Sequence, residues 1–385
     1  MTSKVYAFRF FGDLILIYPL YAVLFARHGL SAAEISLLFV VWSVVSFALE
    51  VPTGVLADRF SRRHLLAVAQ LVRAAGYLVW WLAPSFEGFA AGFVLWGIQG
   101  AITSGAFQAL VFDELRAARE DHRYARIMGA GEAWSSGGAV VGSLIAAAVI
   151  PLGFGAILVA SSAACLVTGA IALSFPAAAP AEPAVDHRYL MLLRAGVREV
   201  LGRRALLGFV VFSGAVVGLG AVEEFYALIL RDVDISRAGI SLWHAGFFLV
   251  AIAGNLLAHR VSDVSWLRLA AMSAAMGIAL ITTARVSASA VPITLVLFQG
   301  VYAIQYVAFD ARLQTMITSR ARATVTSVQG FVTELAAIAT FLGFGAVASV
   351  TSTAAAAGAA GLTLVVVALA FGATASRRAS EADEW

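Results

Sequence analysis

The chain carries twelve long apolar runs with little sequence between them. They cover residues 5–26, 33–57, 64–83, 88–112, 127–150, 154–175, 205–230, 237–259, 264–284, 290–312, 325–348 and 354–375. A helix rising 1.5 Å per residue needs about 20 such residues to cross the hydrocarbon core of a bilayer. The strands of a membrane β-barrel are about ten residues long and alternate in polarity, which these continuous runs do not. A helix satisfies its own backbone groups in lipid, so an all-α bundle follows. Composition agrees: 61% of the residues are hydrophobic and 13% charged, against about half and about a quarter in soluble domains. A soluble enzyme, a nucleic-acid binder and a disordered chain are thereby excluded. The single cysteine, Cys165, lies in an apolar run and permits no intramolecular disulfide. The first run lacks a small-residue cleavage site and is expected to stay as a span.

Basic residues orient the spans. One set of loops and ends holds 20 of the 26, including Arg59, Arg62, Arg63, Arg116, Arg119, Arg123 and Arg126. The opposite set holds four: Arg27, Arg231, Arg237 and Arg285. Arg9 and Arg73 fall within spans. This asymmetry predicts a multi-pass protein of the cell membrane with both termini in the cytoplasm.

The spans divide into halves that resemble each other. Ser31-Ala-Ala-Glu-Ile-Ser-Leu37 answers Ser236-Arg-Ala-Gly-Ile-Ser-Leu242, and Tyr21-Ala22 answers Tyr226-Ala227. Gln99-Gly100 answers Gln299-Gly300, and Phe112-Asp113 answers Phe309-Asp310. The near-constant offset predicts two parallel six-helix repeats around a central cavity. The expected domains are a first bundle over 1–176 and a linker over 177–204, opening Ala/Pro-rich and closing as a basic amphipathic helix on the membrane surface. A second bundle over 205–376 and a cytoplasmic tail over 377–385 complete the chain.

The loop after the second run reads Gly54-Val-Leu-Ala-Asp58-Arg59-Phe-Ser-Arg62-Arg63-His64. It resembles the signature between helices two and three of the major facilitator superfamily, with Ser61 where glycine is usual. Gly54 admits a close neighbour, and Asp58 suits a helix N-terminus or a cation. The resemblance implies a cytoplasmic gating latch built from Gly54, Asp58, Arg59, Arg62 and Arg63, with Arg116 as a partner. In the fifth run, Gly129, Gly138 and Gly142 keep the spacings of the antiporter motif of that superfamily. Ser143 stands for its proline, and Ala146 and Ala147 for its closing glycines. Ordinary close packing also favours small residues there. Trp96 occupies the place of an arginine that antiporters often carry three residues before Gln-Gly; Arg73 is the deep arginine that could substitute.

Six carboxylates fall within runs: Asp13, Glu50, Glu132, Glu223, Glu224 and Glu334. A charge at the bilayer centre costs about 2.5–3.5 kcal/mol on insertion scales, so each must pair, face water or take up a proton. Asp13 lies four residues from Arg9, within reach of an ion pair. Glu50 either lines the cavity or supports the latch. Glu132 and Glu334 are placed to pair with Arg126 and Arg322 at the inner mouth. Glu223 and Glu224 suit proton or cation handling, with Arg231 or Arg237 as alternative partners. Asp113 and Asp310 are placed to cap or pair at the inner ends of spans four and ten.

Further polar and aromatic residues sit at cavity depth: Tyr18, Trp42, Trp96, Gln108, His244, Asn255, Gln299, Tyr302, Gln305 and Tyr306. Aromatic faces with a few polar groups suit amphipathic or cationic organic molecules. Trp80 and Trp81 suit the interfacial belt.

No phosphate-binding loop, metal-ligand cluster or nucleophile elbow is present in the sequence, so no cofactor and no catalytic residue is expected. The partners implied are a small organic substrate, protons and membrane lipids, for a protein expected to be a monomer. The expectation is a drug:proton antiporter-like secondary transporter that exports amphipathic molecules by alternating access. The alternatives are a symporter for a metabolite, a lipid or lysolipid flippase on the same fold, and a non-transporting sensor or membrane-embedded enzyme.

Overall fold

In the computed structural model, residues 1–176, 197–257, 265–317 and 322–382 are described, and every regular element among them is helical. The linker expected around 177–196 lies outside the described residues. The helices are α1 (Thr2–Asp13), α2 (Tyr21–Arg27), α3 (Ala32–Arg59), α4 (Arg62–Leu82), α5 (Phe86–Ala117), α6 (Tyr124–Val149) and α7 (Phe154–Leu173). They continue as α8 (Arg204–Leu219), α9 (Tyr226–Asp232), α10 (Arg237–Leu257), α11 (Trp266–Thr283), α12 (Val291–Met316), α13 (Arg322–Val350) and α14 (Thr353–Ala382). Among the described residues, eleven segments are long and apolar enough to cross a membrane.

The twelfth expected span, the first, is broken. Helix α1 stops at Asp13 and α2 starts at Tyr21. Proline explains the gap: Pro19 has no N–H to donate, and its ring disfavours helical backbone at Tyr18. The seventh span is interrupted at the corresponding place. A 3₁₀ turn, Gly220–Phe225, separates α8 from α9. Gly220 leaves room for the Tyr302 ring, which a methyl group there would overlap. By contrast, Pro52 lies inside α3 without ending it.

The chain forms two compact units. One holds residues 1–176 and 235–249; the other holds 197–234, 250–257, 265–317 and 322–382. The first turns of α10 thus belong with the first unit, where Arg237 lies over the Phe154 ring at 5.7 Å.

The same pairings recur in each unit. In the first, α1 packs on α6, α4 on α7 and α4 on α5; in the second, α8 packs on α13, α11 on α14 and α11 on α12. Small residues make the first pairing close. A side chain at Gly138 would overlap the Phe10 carbonyl, and one at Gly142 would come within 3.1 Å of the Ile15 amide. Gly138 and Gly142 therefore seat α6 against the break in span one. Gly129 faces open space, so the packing role expected for it is not found.

Candidate functional site

The break in span one leaves backbone groups without helical partners, and in lipid each must be satisfied elsewhere. Arg73 of α4 donates through Nη1 to the Gly12 carbonyl at 2.8 Å. The Ile17 amide donates to Ser161 Oγ of α7 at 3.1 Å. Arg73 is 4% exposed, which makes its setting decisive. Its Nε donates to the Tyr77 hydroxyl at 3.0 Å. Its guanidinium lies 5.3 Å from the Tyr18 ring centre, 5.4 Å from Trp96 and 5.8 Å from Tyr77. Tyr18 and Trp96 stack with centroids 5.3 Å apart, and Trp42 lies 5.5 Å from Trp96. Trp96, standing where antiporters often carry arginine, is thus a wall of the box that encloses Arg73.

Asp13 is the last residue of α1, beside this box. Ser135 of α6 donates its hydroxyl to one Asp13 carboxylate oxygen, and the Tyr18 hydroxyl donates to the other at 3.4 Å. The ion pair expected between Arg9 and Asp13 does not form. Arg9 pairs with Glu132, which in turn displaces the expected Glu132–Arg126 pair. Among the described residues, no cation lies within ion-pair distance of Asp13.

In the second unit, Glu223 and Glu224 sit in the 3₁₀ turn of span seven. Glu223 is exposed between the buried Val222 and the partly buried Glu224. The Gln299 side chain of α12 faces it. The Tyr302 hydroxyl donates to the Val217 carbonyl at 3.3 Å, and the Thr340 hydroxyl of α13 is shared between the Ala336 carbonyl of its own helix at 2.8 Å and the Gly218 carbonyl at 3.3 Å. Arg231, an expected partner of the two glutamates, instead donates to Asp232 at 2.6 and 2.9 Å.

Other expected site residues fall elsewhere. Gln305 is a buried strut, donating to the Leu269 carbonyl at 2.9 Å and to Ser273 at 2.7 Å. His244 Nδ1 lies 2.8 Å from Ser143 Oγ. Gln108, Asn255, Tyr306 and Glu50 are exposed, and Glu334 is partly buried on α13. The Arg322 side chain, its expected partner, lies outside the described residues. Trp80 is 1% exposed inside the aromatic cluster, not in an interfacial belt, and its indole donates to the Phe89 carbonyl at 3.0 Å. Trp81 is exposed.

At the arginine-rich end of the first unit, Arg62 pairs with Asp113 of α5. Asp113 was expected to cap or pair at the inner end of this span, and Arg116, the partner expected for the latch, is exposed. Arg63 donates to the Phe175 carbonyl at 3.5 Å, and Lys4 to the Ser174 carbonyl. Both cations thereby cap the C-terminal end of α7, where the helix dipole favours them. The surroundings of Gly54 and the side chains of Asp58 and Arg59 lie outside what is described.

The sequence reading missed Ser135, Tyr77 and Ser161. Tyr77 was within reach, four residues from Arg73 on one helix face. Ser135 and Ser161 gave no local signal, because each meets span one from a distant part of the chain.

The family model of the Major Facilitator Superfamily matches residues 5–340. The chain belongs to the Major Facilitator Superfamily and is a multi-span secondary transporter. Its fold is similar to several solved structures. One is the nucleoside transporter NupG (D323A mutant), with TM-score 0.84, 14% identity, 97% of this chain and 99% of that chain covered. Another is a bacterial homolog of the human lysosomal transporter Spinster, inward-facing and occupied, with TM-score 0.72, 16% identity, and 98% and 95% covered. A third is a D-xylose-proton symporter, with TM-score 0.67, 14% identity, and 96% and 95% covered. No curated protein sequence matches the chain.

Proposed function

We propose that this transporter exchanges protons for small amphipathic organic molecules across the cell membrane, with both termini in the cytoplasm, and that Asp13 carries the proton. The observation behind this reading is the partner set of Asp13: two hydroxyls, from Ser135 and Tyr18, and no ion pair. A hydroxyl donates to a carboxylate and accepts from a carboxylic acid, so it suits both protonation states. An arginine would favour the ionised state alone. With Arg9 committed to Glu132, the direct partners of Asp13 are hydroxyls that serve both of its states. Glu223 and Glu224, at the equivalent break of the other unit, are the second candidates for proton or substrate handling. A proton moving through 100 mV and one pH unit supplies about 3.7 kcal/mol, which sustains a gradient of several hundredfold.

Proton release from purified protein in weakly buffered solution tests this. Ligands that stabilise the protein should release protons, and Asp13→Asn should abolish the release while preserving the fold. Release that persists after Asp13, Glu223 and Glu224 are all neutralised would sink the assignment.

A second reading is symport in the inward direction. It is favoured by α6, which runs unbroken from Tyr124 to Val149 with Ser143 in place of the proline of the antiporter motif. Proteoliposomes with an imposed pH gradient separate the two: an antiporter drives substrate against the proton flow, and a symporter drives it with the flow.

A further inference from the structure

The two units place the same glutamine in two different settings. Gln99 of α5 and Gln299 of α12 correspond across the repeat, each followed by glycine. Gln99 donates through Nε2 to Thr103 Oγ1, one turn along its own helix, at 3.0 Å. One turn beyond Gln299 stands Ala303, which has no hydroxyl. A methyl at Gly254 would come within 2.9 Å of the Ala303 Cβ, so the helices are already close there and a β-branched residue at 303 would crowd them. Gln299 turns instead toward Glu223.

Gln299 is 9% exposed, and its Oε1 is a buried acceptor without a hydrogen-bond partner. Leaving such an acceptor unsatisfied is costly, and an arriving donor would relieve that cost. The Tyr302 hydroxyl donates its hydrogen bond to the Val217 carbonyl, so its oxygen is left to accept. Glu223 adds an exposed carboxyl group. The group is therefore rich in acceptors. The rings of Phe298, Tyr302 and Tyr306 continue from it, with centroids 5.8 and 6.3 Å apart. Oxygen acceptors beside aromatic faces match a protonated amine: N–H groups meet the oxygens and the positive charge meets the rings.

We propose that Gln299 is a specificity-determining residue and that, with Glu223 and Tyr302, it binds the head group of a protonated primary amine carried on an apolar body. A quaternary ammonium has the charge but no N–H, and so leaves Gln299 Oε1 unsatisfied. Coupling of amine binding to proton release rests on the proton-exchange reading; the binding itself rests on the second unit alone.

The test uses purified full-length protein and three probes of one skeleton: 2-phenylethylamine, its N,N,N-trimethyl derivative and 2-phenylethanol. Thermal stabilisation is measured against probe concentration. The amine is expected to act at concentrations about tenfold lower than the other two, the weight of one hydrogen bond involving a charged group. Gln299→Leu should erase that preference. Ala303→Ser offers Gln299 the hydroxyl that Thr103 offers Gln99, and should weaken amine binding by about threefold. Equal action of the amine and its trimethyl derivative overturns the proposal. So does a preference that survives Gln299→Leu, or, should that variant fail to fold, one that is unchanged in Ala303→Ser. Proton release is followed in the same titrations. Amine preference without proton release supports the subsite and sinks proton exchange. Proton release with other ligands and no amine preference overturns the subsite and leaves proton exchange standing.

Discussion

Spans one and seven are interrupted at the same register, yet the two units hold their breaks with different chemistry. In the first unit a buried cation does it: Arg73 binds the Gly12 carbonyl and is enclosed by Tyr18, Tyr77 and Trp96. In the second unit neutral hydroxyls do it: Tyr302 at 3.3 Å, and Thr340, at 3.3 Å, which shares its hydrogen with the nearer Ala336 carbonyl. A charge-assisted hydrogen bond is roughly twice as strong as a neutral one. The first break is therefore the firmer, and it fixes Asp13 beside fixed hydroxyls. The second joint spends less on its own backbone and keeps acceptors unspent at Glu223 and Gln299. Duplication supplied one architecture; divergence at a few positions separated a preorganised carboxyl group from an adaptable recognition surface.

The largest expected effect comes from removing the cation. Arg73→Ala strips the Gly12 carbonyl of its donor and empties the aromatic box. A loss of about 3 kcal/mol is expected, read as a lower melting temperature together with loss of transport. Arg73→Lys should rescue poorly, since one ammonium cannot make the guanidinium's separate hydrogen bonds to Gly12 and Tyr77 while resting against the rings. In the second unit Thr340→Val should cost only about 1 kcal/mol. Equal losses in the two variants would break the contrast between the units.

The next effect concerns how each unit seats its broken span. In the first, the small residues are on the partner helix: Gly138 and Gly142 of α6 meet α1. In the second they are on the broken span itself: a methyl at Gly214 of α8 would approach Val332 at 2.7 Å, and one at Gly218 would overlap Ala336. Gly138→Ala drives a methyl into the Phe10 carbonyl and should cost about 2 kcal/mol by overpacking. Gly129→Ala meets open space and should be neutral or stabilise slightly, by up to about 1 kcal/mol. Melting temperatures of the two variants check this. A neutral Gly138→Ala would mean that the two helices do not meet so closely.

Much of this fold was legible in the sequence for a physical reason: lipid forces long apolar helices. The breaks were half legible. Pro19 marked one, but span seven carries no proline, and its 3₁₀ turn follows from packing against Tyr302. Site residues were harder still. Asp13 stood out because a carboxylate in an apolar run is costly, whereas its partner Ser135 is an unremarkable small polar residue 122 positions away. The neighbour four residues off, Arg9, was the natural partner from sequence, and Glu132 outcompeted Asp13 for it. The orphaned oxygen of Gln299 was invisible, because it depends on what Ala303 fails to offer.

The smallest effects lie at the arginine-rich ends, where the repeats diverge again. In the first unit Arg62, the first residue of α4, pairs with Asp113. In the second, Trp266 is the first residue of α11, and Arg312 lies over its ring at 4.8 Å. Arg62 is 11% exposed and Asp113 35% exposed, so the pair is partly screened. Its loss in Arg62→Gln should cost about 1 kcal/mol. Arg312→Gln should cost less, about 0.5–1 kcal/mol, the weight of a cation–π contact near the surface. Salt sharpens the distinction. The Debye length falls from about 10 Å at 0.1 M to about 3 Å at 1 M, which weakens an accessible ion pair more than a cation seated on a ring. The Arg62→Gln penalty, measured by melting in detergent, should therefore shrink in 1 M KCl, while the Arg312→Gln penalty stays constant. Penalties that fall together would mean that both ends are held by screened charge alone, and the contrast between the units would then be confined to their breaks.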